Sequence, residues 1–502
     1  MKVIFCREEF GYSFEEFASL IFPDEIVEKE EVTDVLTRLK RANVISKVRV
    51  SKEGGFSKAD LSDIDDDIAD IVEIDPNSTK ILYRFKFVGL IIVKSYILYS
   101  FPKYIEVNPK RNPTDNQKFE FKQIIKVIEK YSKSTREQAI YSLNDIDESV
   151  AYGDLSICLY LLEDYFQNGL YSNQHSIVEI NGDGEILWDK TVNESFAFFS
   201  DNRPVYTDYF NRRSVVEDDN FIKKLHEVVL SRISETLELY GLLGLLDLTS
   251  TNFTDDRLTD LGDVDYILYM IESELSQVFN TRKQLLLRAL YSYVSQKYEA
   301  ERDEYASLFG TNSFHSIWEK ACANVLNDKL DATIGGLGLN PTGKNINYTT
   351  KIKNIINKPK WSRNPKDIFE TTTLIPDIIT VVDNRLLILD GKYYNLRFST
   401  KSIDGNPGVG DVTKQFLYAL AYRELAYENN LQIVNYFLMP TENESVYDFA
   451  KVDMHMLNSL GLSSIYVAKL NAASIFQNYL NDSLDLDLLE KLKNKFDEDK
   501  SE

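Results

Sequence analysis

The segment TLIPDIITVVDNRLLILDGKYY, residues 373–394, constrains the chain more than any other. Two apolar runs, LIPDIITVV and LLILDGKYY, flank the polar triplet Asp383-Asn384-Arg385, and this pattern predicts a β-hairpin. Side chains alternate faces along a strand, so Asp390 and Lys392 share a face. Hairpin register can bring Asp377, which follows Pro376, beside them. Two carboxylates and one ammonium would then sit on a sheet otherwise built of Ile, Leu and Val. Burying such charges is costly unless they pair or hold a metal. Two hard-oxygen carboxylates suit Mg²⁺, and a neighbouring lysine suits a phosphate or a metal-bound water. The competing reading is a surface hairpin with two salt-bridged aspartates.

Pro376-Asp377 followed by Asp390-Gly391-Lys392 resembles the PD-(D/E)xK nuclease motif, with Asp as the second acid. The resemblance implies that Asp377 and Asp390 hold one or two Mg²⁺ ions. It implies that Lys392 orients or helps to deprotonate the attacking water and offsets charge on the scissile phosphate. Upstream, in FHSIWEKACANVLND, residues Phe314, Ile317, Trp318, Ala321, Cys322 and Val325 fall on one helical face. Glu319 sits beside that face, and the same resemblance makes it a further metal ligand. The plainer readings are a solvated helix charge for Glu319 and a packed or half-exposed helix histidine for His315. Downstream, GDVTKQFLYALAYRELAYENN looks like the Q-x-x-x-Y helix of the RecB-like branch, which places Gln415 in the catalytic set along the DNA cleft. Ala419 stands where that pattern has tyrosine, so at least one of Tyr418 and Tyr422 is read as a core aromatic. VNYFLMP, residues 434–440, predicts a third strand.

Bulk properties narrow the rest. A chain of 502 residues, 43% hydrophobic and 27% charged, has the length for two to four domains with real cores. Cys6, Cys158 and Cys322 lie far apart and form no C-x-x-C pair, which argues against a zinc site or a disulfide framework and for a reducing cytoplasm. The stretch ILYRFKFVGLIIVKSYILYSF, residues 81–101, is broken by Arg84, Lys86 and Lys94 and reads as strands, not as a membrane span. GLNPTGKN, residues 338–345, nearly matches a phosphate loop, but Asn345 replaces the hydroxyl that would hold Mg²⁺. Nucleotide hydrolysis, if any, therefore belongs to a partner.

The net charge of −22 sits badly with a protein that grips DNA, because duplex affinity comes largely from Lys and Arg displacing counterions. Its distribution softens the conflict. Residues 305–415 hold 14 Lys and Arg against 10 Asp and Glu, a local +4, which leaves −26 on the remainder. Residues 343–366 carry seven basic side chains and no acid. Lys344, Lys358, Lys360, Trp361 and Arg363 from this strip are the candidate DNA contacts, by charge and base stacking, against the plainer reading of a solvated lysine-rich loop.

The predicted organisation is a multidomain α/β chain. A β-rich N-terminal domain with an initial helical part spans 1–110. A mostly helical, partner-docking middle region with a β-hairpin at 175–192 spans 111–300, and its His226 is read as structural. A mixed-sheet nuclease core flanked by helices spans 301–482, and 483–502 is a charged tail expected to fray. FKFVGLIIVKSYILYSFPKYI, GEILWDKTV, NFIKKLHEVVL, FHSIWEKACANVL and PDII with LLILDGKYY together resemble the LlaJI-type restriction endonuclease family, related to the McrC subunits of McrBC-type systems. That resemblance implies a Mg²⁺-dependent DNA endonuclease subunit beside an AAA+ GTPase of McrB type, in the cytoplasm and without a membrane partner. GTP would be bound only by that partner. Two alternatives stand beside it: a non-cleaving regulator that binds DNA and stimulates a GTPase, and a repair or transposition nuclease.

Overall fold

The apolar stretch ending at Phe101 forms three strands, Thr79–Phe85, Val88–Val93 and Tyr96–Phe101, because β-branched and aromatic residues pack well on a pleated surface. The computed structural model describes every residue except 1, 23–28, 52–78, 95, 108–112, 142–153, 173, 201–202, 217–219, 240, 301–306, 344–345, 364–365, 370–371, 399–402, 459 and 499–502. The expected boundary near 110 lies within these segments, outside the described residues. The chain is mixed α/β and divides into two compact units. One comprises residues 1–136, 145–153 and 304–502; the other comprises 137–144 and 154–303.

In the first unit, β1 (Lys2–Arg7), β2 (Val88–Val93), β3 (Tyr96–Phe101) and β4 (Ser307–Thr311) make a four-stranded sheet in the order β1-β3-β2-β4. Strand β4 arrives more than two hundred residues after β2 and pairs with it antiparallel, Gly310 opposite Gly89. A Cβ on either glycine would come within 2.1 Å of a backbone oxygen on the facing strand, so both positions need glycine. Thr79–Phe85 instead joins Ile45–Ser51 and Gly11–Tyr12 in a separate three-stranded sheet. Helix Phe14–Ile21 is fixed by a reciprocal cap between Ser13 and Glu16 and buries Phe17 and Ile21 against this layer.

The same unit holds a five-stranded sheet. Its elements are α1 (Phe314–Val325), β5 (Ile378–Val382), β6 (Arg385–Gly391), α2 (Val409–Glu428), β7 (Gln432–Thr441), β8 (Val446–Val452), β9 (Ile465–Asn471), α3 (Ala472–Leu480) and α4 (Leu486–Glu498). The strand order is β5-β6-β7-β9-β8, with β6, β7 and β9 parallel and the two edges antiparallel. The predicted hairpin turn is two residues, Asp383-Asn384, with Asp383 at φ +49°; Arg385 already belongs to β6. All seven residues of β6 are buried, as expected for a central strand covered on both faces. Phe416, Tyr418, Ala419 and Tyr422 of α2 cover one face with Leu386, Ile388, Phe437 and Met439. On α1 the six predicted apolar residues are all buried. Trp318 donates its indole N–H to the Leu438 carbonyl on β7 at 2.9 Å and meets Phe476 of α3 edge-on. The tail expected to fray packs instead: Leu488, Leu489 and Leu492 of α4 are buried, and Tyr436 donates its hydroxyl to the Leu492 carbonyl. Three leucines on one helical face outweigh the charge of the other.

The second unit is helical around Phe221–Leu239. His226 there is fully buried, accepts the Tyr171 N–H at Nδ1, and is pushed down to about 4 by burial, which fits a structural neutral imidazole. Arg282 grips Asp164 with two hydrogen bonds of 2.9 and 2.7 Å. The expected hairpin at 175–192 differs. Gln174–Ile180 and Glu185–Ile186 do not pair with each other but flank Phe210–Val216, and Trp188–Glu194 is a helix. The turn residues were legible; a third strand inserted between the first two was not. Among the described residues no helix is long and apolar enough to cross a membrane.

Trp318 joins α1 to the central strands by both packing and a hydrogen bond. Trp318→Ala is therefore expected to cost about 3–5 kcal/mol of unfolding free energy, read as a lower urea midpoint. A change under 1 kcal/mol would show that α1 is held elsewhere.

Candidate active site

Hairpin register settles where the two aspartates lie. Ile378 pairs with Leu389, so the next pair outward is Asp377 with Asp390. Asp390, only 4% exposed, is flanked by Leu389 and Gly391 on the all-buried β6. Asp377 Oδ2 accepts the Gly391 N–H at 3.1 Å and its carboxyl hydrogen-bonds to Asp390. Asp377 is pushed up to about 9, first by burial, then by the hydrogen bond to Asp390 and by the charges of Asp390 and Glu319. At neutral pH it keeps its proton, and that proton holds the two groups together.

Lys392, next on the same face, places its ammonium 3.2 Å from Asp390 and 3.1 Å from Asp411 in the first turn of α2. Burial alone would lower its pKa, but the two carboxylates outweigh that and hold it above the usual lysine range. Lys392 is thus a cation at neutral pH, paired with both carboxylates. Glu319 stands on α1 directly behind the strand. A Cβ added to Gly391 would lie 3.0 Å from the Glu319 Cα, so a larger residue there would push helix and strand apart by a few tenths of an ångström. Burial and the Asp390 charge raise the Glu319 pKa, against the pull of Lys392 and Lys414.

The structure therefore brings Asp377, Asp390, Lys392 and Glu319 together. Gln415 is placed differently: it is fully buried, donates to the Ile388 carbonyl at 3.2 Å, and has its Oε1 buried without a hydrogen-bond partner. It holds β6 two residues before Asp390. Tyr418 and Tyr422 are both core aromatics, tied by their hydroxyls to the Ile375 and Ile352 carbonyls. In the basic strip, Lys351 and Lys353 turn to Asp331 at 2.8 and 2.7 Å. Lys360, Trp361 and Arg363 lie on a strand, Lys360–Arg363, paired with Lys366–Phe369; Trp361 is exposed, as is Lys358 before it. Lys344 lies outside the described residues, and so does the Arg363 side chain. Asp411 was missed by the sequence reading, because an acid in the first turn of a helix is already accounted for by the helix dipole. His315 shares a cleft with Glu319, Lys392 and residues of the N-terminal layer.

Two buried carboxylates held by one proton, with a third nearby, have the chemistry of a site for a hard divalent cation. As they stand they do not converge as ligands: among the described residues no group of three or more His, Cys, Asp or Glu is arranged to hold a metal. Lys392 covers Asp390 instead. Asp377 takes up a proton on folding, so its contribution to stability is full below about 3.8 and is lost as pH rises toward 9. Without divalent cations, the thermal midpoint should fall between pH 5 and 8, and Asp377→Asn should flatten that fall. Equal slopes in both proteins would mean that Asp377 does not carry the proton.

Comparison with known proteins finds relatives over most of the chain. A family model described as LlaJI restriction endonuclease matches residues 87–476. The chain is 30% identical over 409 residues, 79% of its length and 80% of the relative's, to the type II restriction enzyme BsuMI component YdjA of Bacillus subtilis (strain 168). It also aligns, at 12% identity and a TM-score of 0.37, over 96% of its length with 99% of a chain in the Thermococcus gammatolerans assembly of McrB AAA+ hexamers with bound McrC, a likeness too loose to argue from. The extent of the family match and of the Bacillus subtilis relative show that the chain belongs to the LlaJI restriction endonuclease family.

Proposed function

We propose that this chain is the Mg²⁺-dependent DNA-cleaving subunit of a bacterial restriction system, with a PD-(D/E)xK site at the end of β6. The observation that carries this reading is the buried pair Asp377 and Asp390 with Lys392 on the same face. A protein that only bound DNA would gain nothing from acids buried close to phosphate, which they repel. Asp377, Asp390 and Glu319 would hold the cation. When bound, Mg²⁺ supplies Lewis acidity and a water of lowered pKa. Asp377 must give up its proton for this. Lys392, always charged, is placed to hydrogen-bond a phosphate oxygen and offset developing charge. Asp411 keeps that ammonium at the mouth of the site, and Gln415 fixes the strand that carries Asp390.

The acidic chain suits a second subunit that supplies most of the DNA affinity, and we read that subunit as an AAA+ GTPase of McrB type. Two features support a docked partner. The near-phosphate loop lacks its hydroxyl at Asn345. The hairpin of Ala197–Ser200 with Arg203–Tyr206 in the second unit exposes Phe196, Phe198, Phe199 and Val205, with Phe199 75% exposed. Such clusters on a soluble surface mark interaction sites.

Asp377→Ala and Asp390→Ala should each abolish cleavage of a plasmid while leaving DNA association intact or improved, and Lys392→Ala should be inactive with metal binding retained. Mg²⁺ should raise the unfolding midpoint of the parent and of Lys392→Ala but not of Asp390→Ala. Near-normal cleavage by a folded Asp390→Ala protein would sink the assignment. With Mg²⁺ and no partner, the parent should nick DNA weakly and without sequence preference. Efficient cutting at one defined sequence would replace the subunit reading with a self-sufficient restriction enzyme.

A further inference from the structure

A cleft of about 400 Å³ opens beside the carboxylates, and the nuclease strands make only part of its wall. Its floor is Glu319, Gly391 and Lys392. Its other side comes from the N-terminal layer, through Glu8, Arg84 and Lys103. These distant pieces are fastened together. Tyr393, which follows Lys392, is buried and donates its hydroxyl to Glu8 Oε2 at 2.5 Å. The Lys103 backbone N–H donates to the same carboxylate at 3.2 Å and to the Tyr393 hydroxyl at 3.2 Å. Lys103 then lays its side chain over the catalytic segment, with Nζ 4.6 Å from the Tyr393 ring centre and 5.7 Å from that of Tyr394.

The charges in this space are unevenly engaged. Glu8 is held by Tyr393 and the Lys103 backbone, and Glu9 is paired with Arg84 at 3.1 Å. Burial lowers the pKa of His315, in the first turn of α1, and the charges of Lys103 and Lys392 lower it further. Arg84, Lys86, Lys103, Lys392 and the His315 imidazole thus line one cavity. An anion entering it would offset the repulsion between the ammoniums and find charge-assisted donors already in place.

We propose that this cleft is an anion subsite that takes the backbone phosphodiester next to the one at the carboxylates, with Lys103 and His315 as its donors. This rests on the DNA-cleaving reading above and extends it: the N-terminal layer contributes a residue to the DNA site. Lys103 is fixed at the backbone by the segment that carries Lys392, so both lysines are anchored on the same wall of the cleft. That anchoring would orient the scissile phosphate and leave sequence to be read elsewhere, since phosphate contacts position without specifying.

The test uses the full chain with Asp390→Asn, so that DNA is not cut, and the anisotropy of a short labelled duplex across a chloride series beginning at low salt. Adding Lys103→Met keeps the packing over Tyr393 and removes the charge. It should weaken binding roughly 3- to 10-fold and flatten the slope of log K against log salt by roughly 0.9, one phosphate contact. Lys103→Arg should restore most of both, and Lys118→Met, an exposed control elsewhere, should change neither. Should Lys103→Met fail to fold by its melting curve, Lys103→Gln, which also removes the charge, gives the same reading. Binding by the background chain with unchanged affinity and slope in a folded Lys103→Met or Lys103→Gln chain would overturn the subsite alone. No duplex binding by the background chain at any salt would overturn the DNA-cleaving reading, and the subsite with it.

Discussion

Asp377 and Asp390 face each other across two strands where water scarcely reaches, and much of the surrounding structure is needed to keep them there. Like charges buried side by side repel and lose hydration, so the pair persists only because Asp377 keeps a proton, Gly391 N–H donates to it, and Lys392 neutralises its partner. Each of those compensations has its own support. Gly391 N–H is in place because β6 is clamped between β5 and β7. Lys392 is in place because Asp411 opens α2 beside it. Breaking one link leaves a buried charge without compensation, which is far costlier than losing a surface pair.

The helices set how near the third carboxylate can come. Trp318 hydrogen-bonds to the Leu438 carbonyl, the same carbonyl that accepts the Lys392 N–H. One oxygen on β7 thus fixes both the helix that carries Glu319 and the start of the segment that carries Lys392. Gly391 removes the one side chain that would hold them apart. On the opposite face, Gln415 reaches down to the Ile388 carbonyl from a core otherwise made of Phe416, Tyr418 and Tyr422. A buried amide among apolar neighbours, with one end unpaired, costs stability and earns its place by fixing the strand.

Much of this was legible in order along the chain. Alternation and a polar turn gave the hairpin, and the two-residue side-chain period put Asp390 and Lys392 on one face. The helical period picked out the buried face of α1 without error. These readings hold because each depends on the local backbone repeat alone. The charged tail and the 175–192 segment were misjudged where a neighbour decided the outcome: a sheet edge to cover in one case, an inserted strand in the other.

By itself, then, the sequence determined the strand and helix periods, the identity of the acids and lysine, and through the family's motifs the class of chemistry they resemble. Tertiary structure alone decided which distant residues join them. β4 closes a sheet with strands from residues 2–101, and Glu8 and Lys103 lock onto Tyr393, 385 and 290 residues later. It also decided that Gln415 lies beneath the strand and that Asp411, not bulk water, meets Lys392. The physical reason is that periodicity encodes which face a side chain shows, whereas burial, pairing and proton affinity depend on what that face meets.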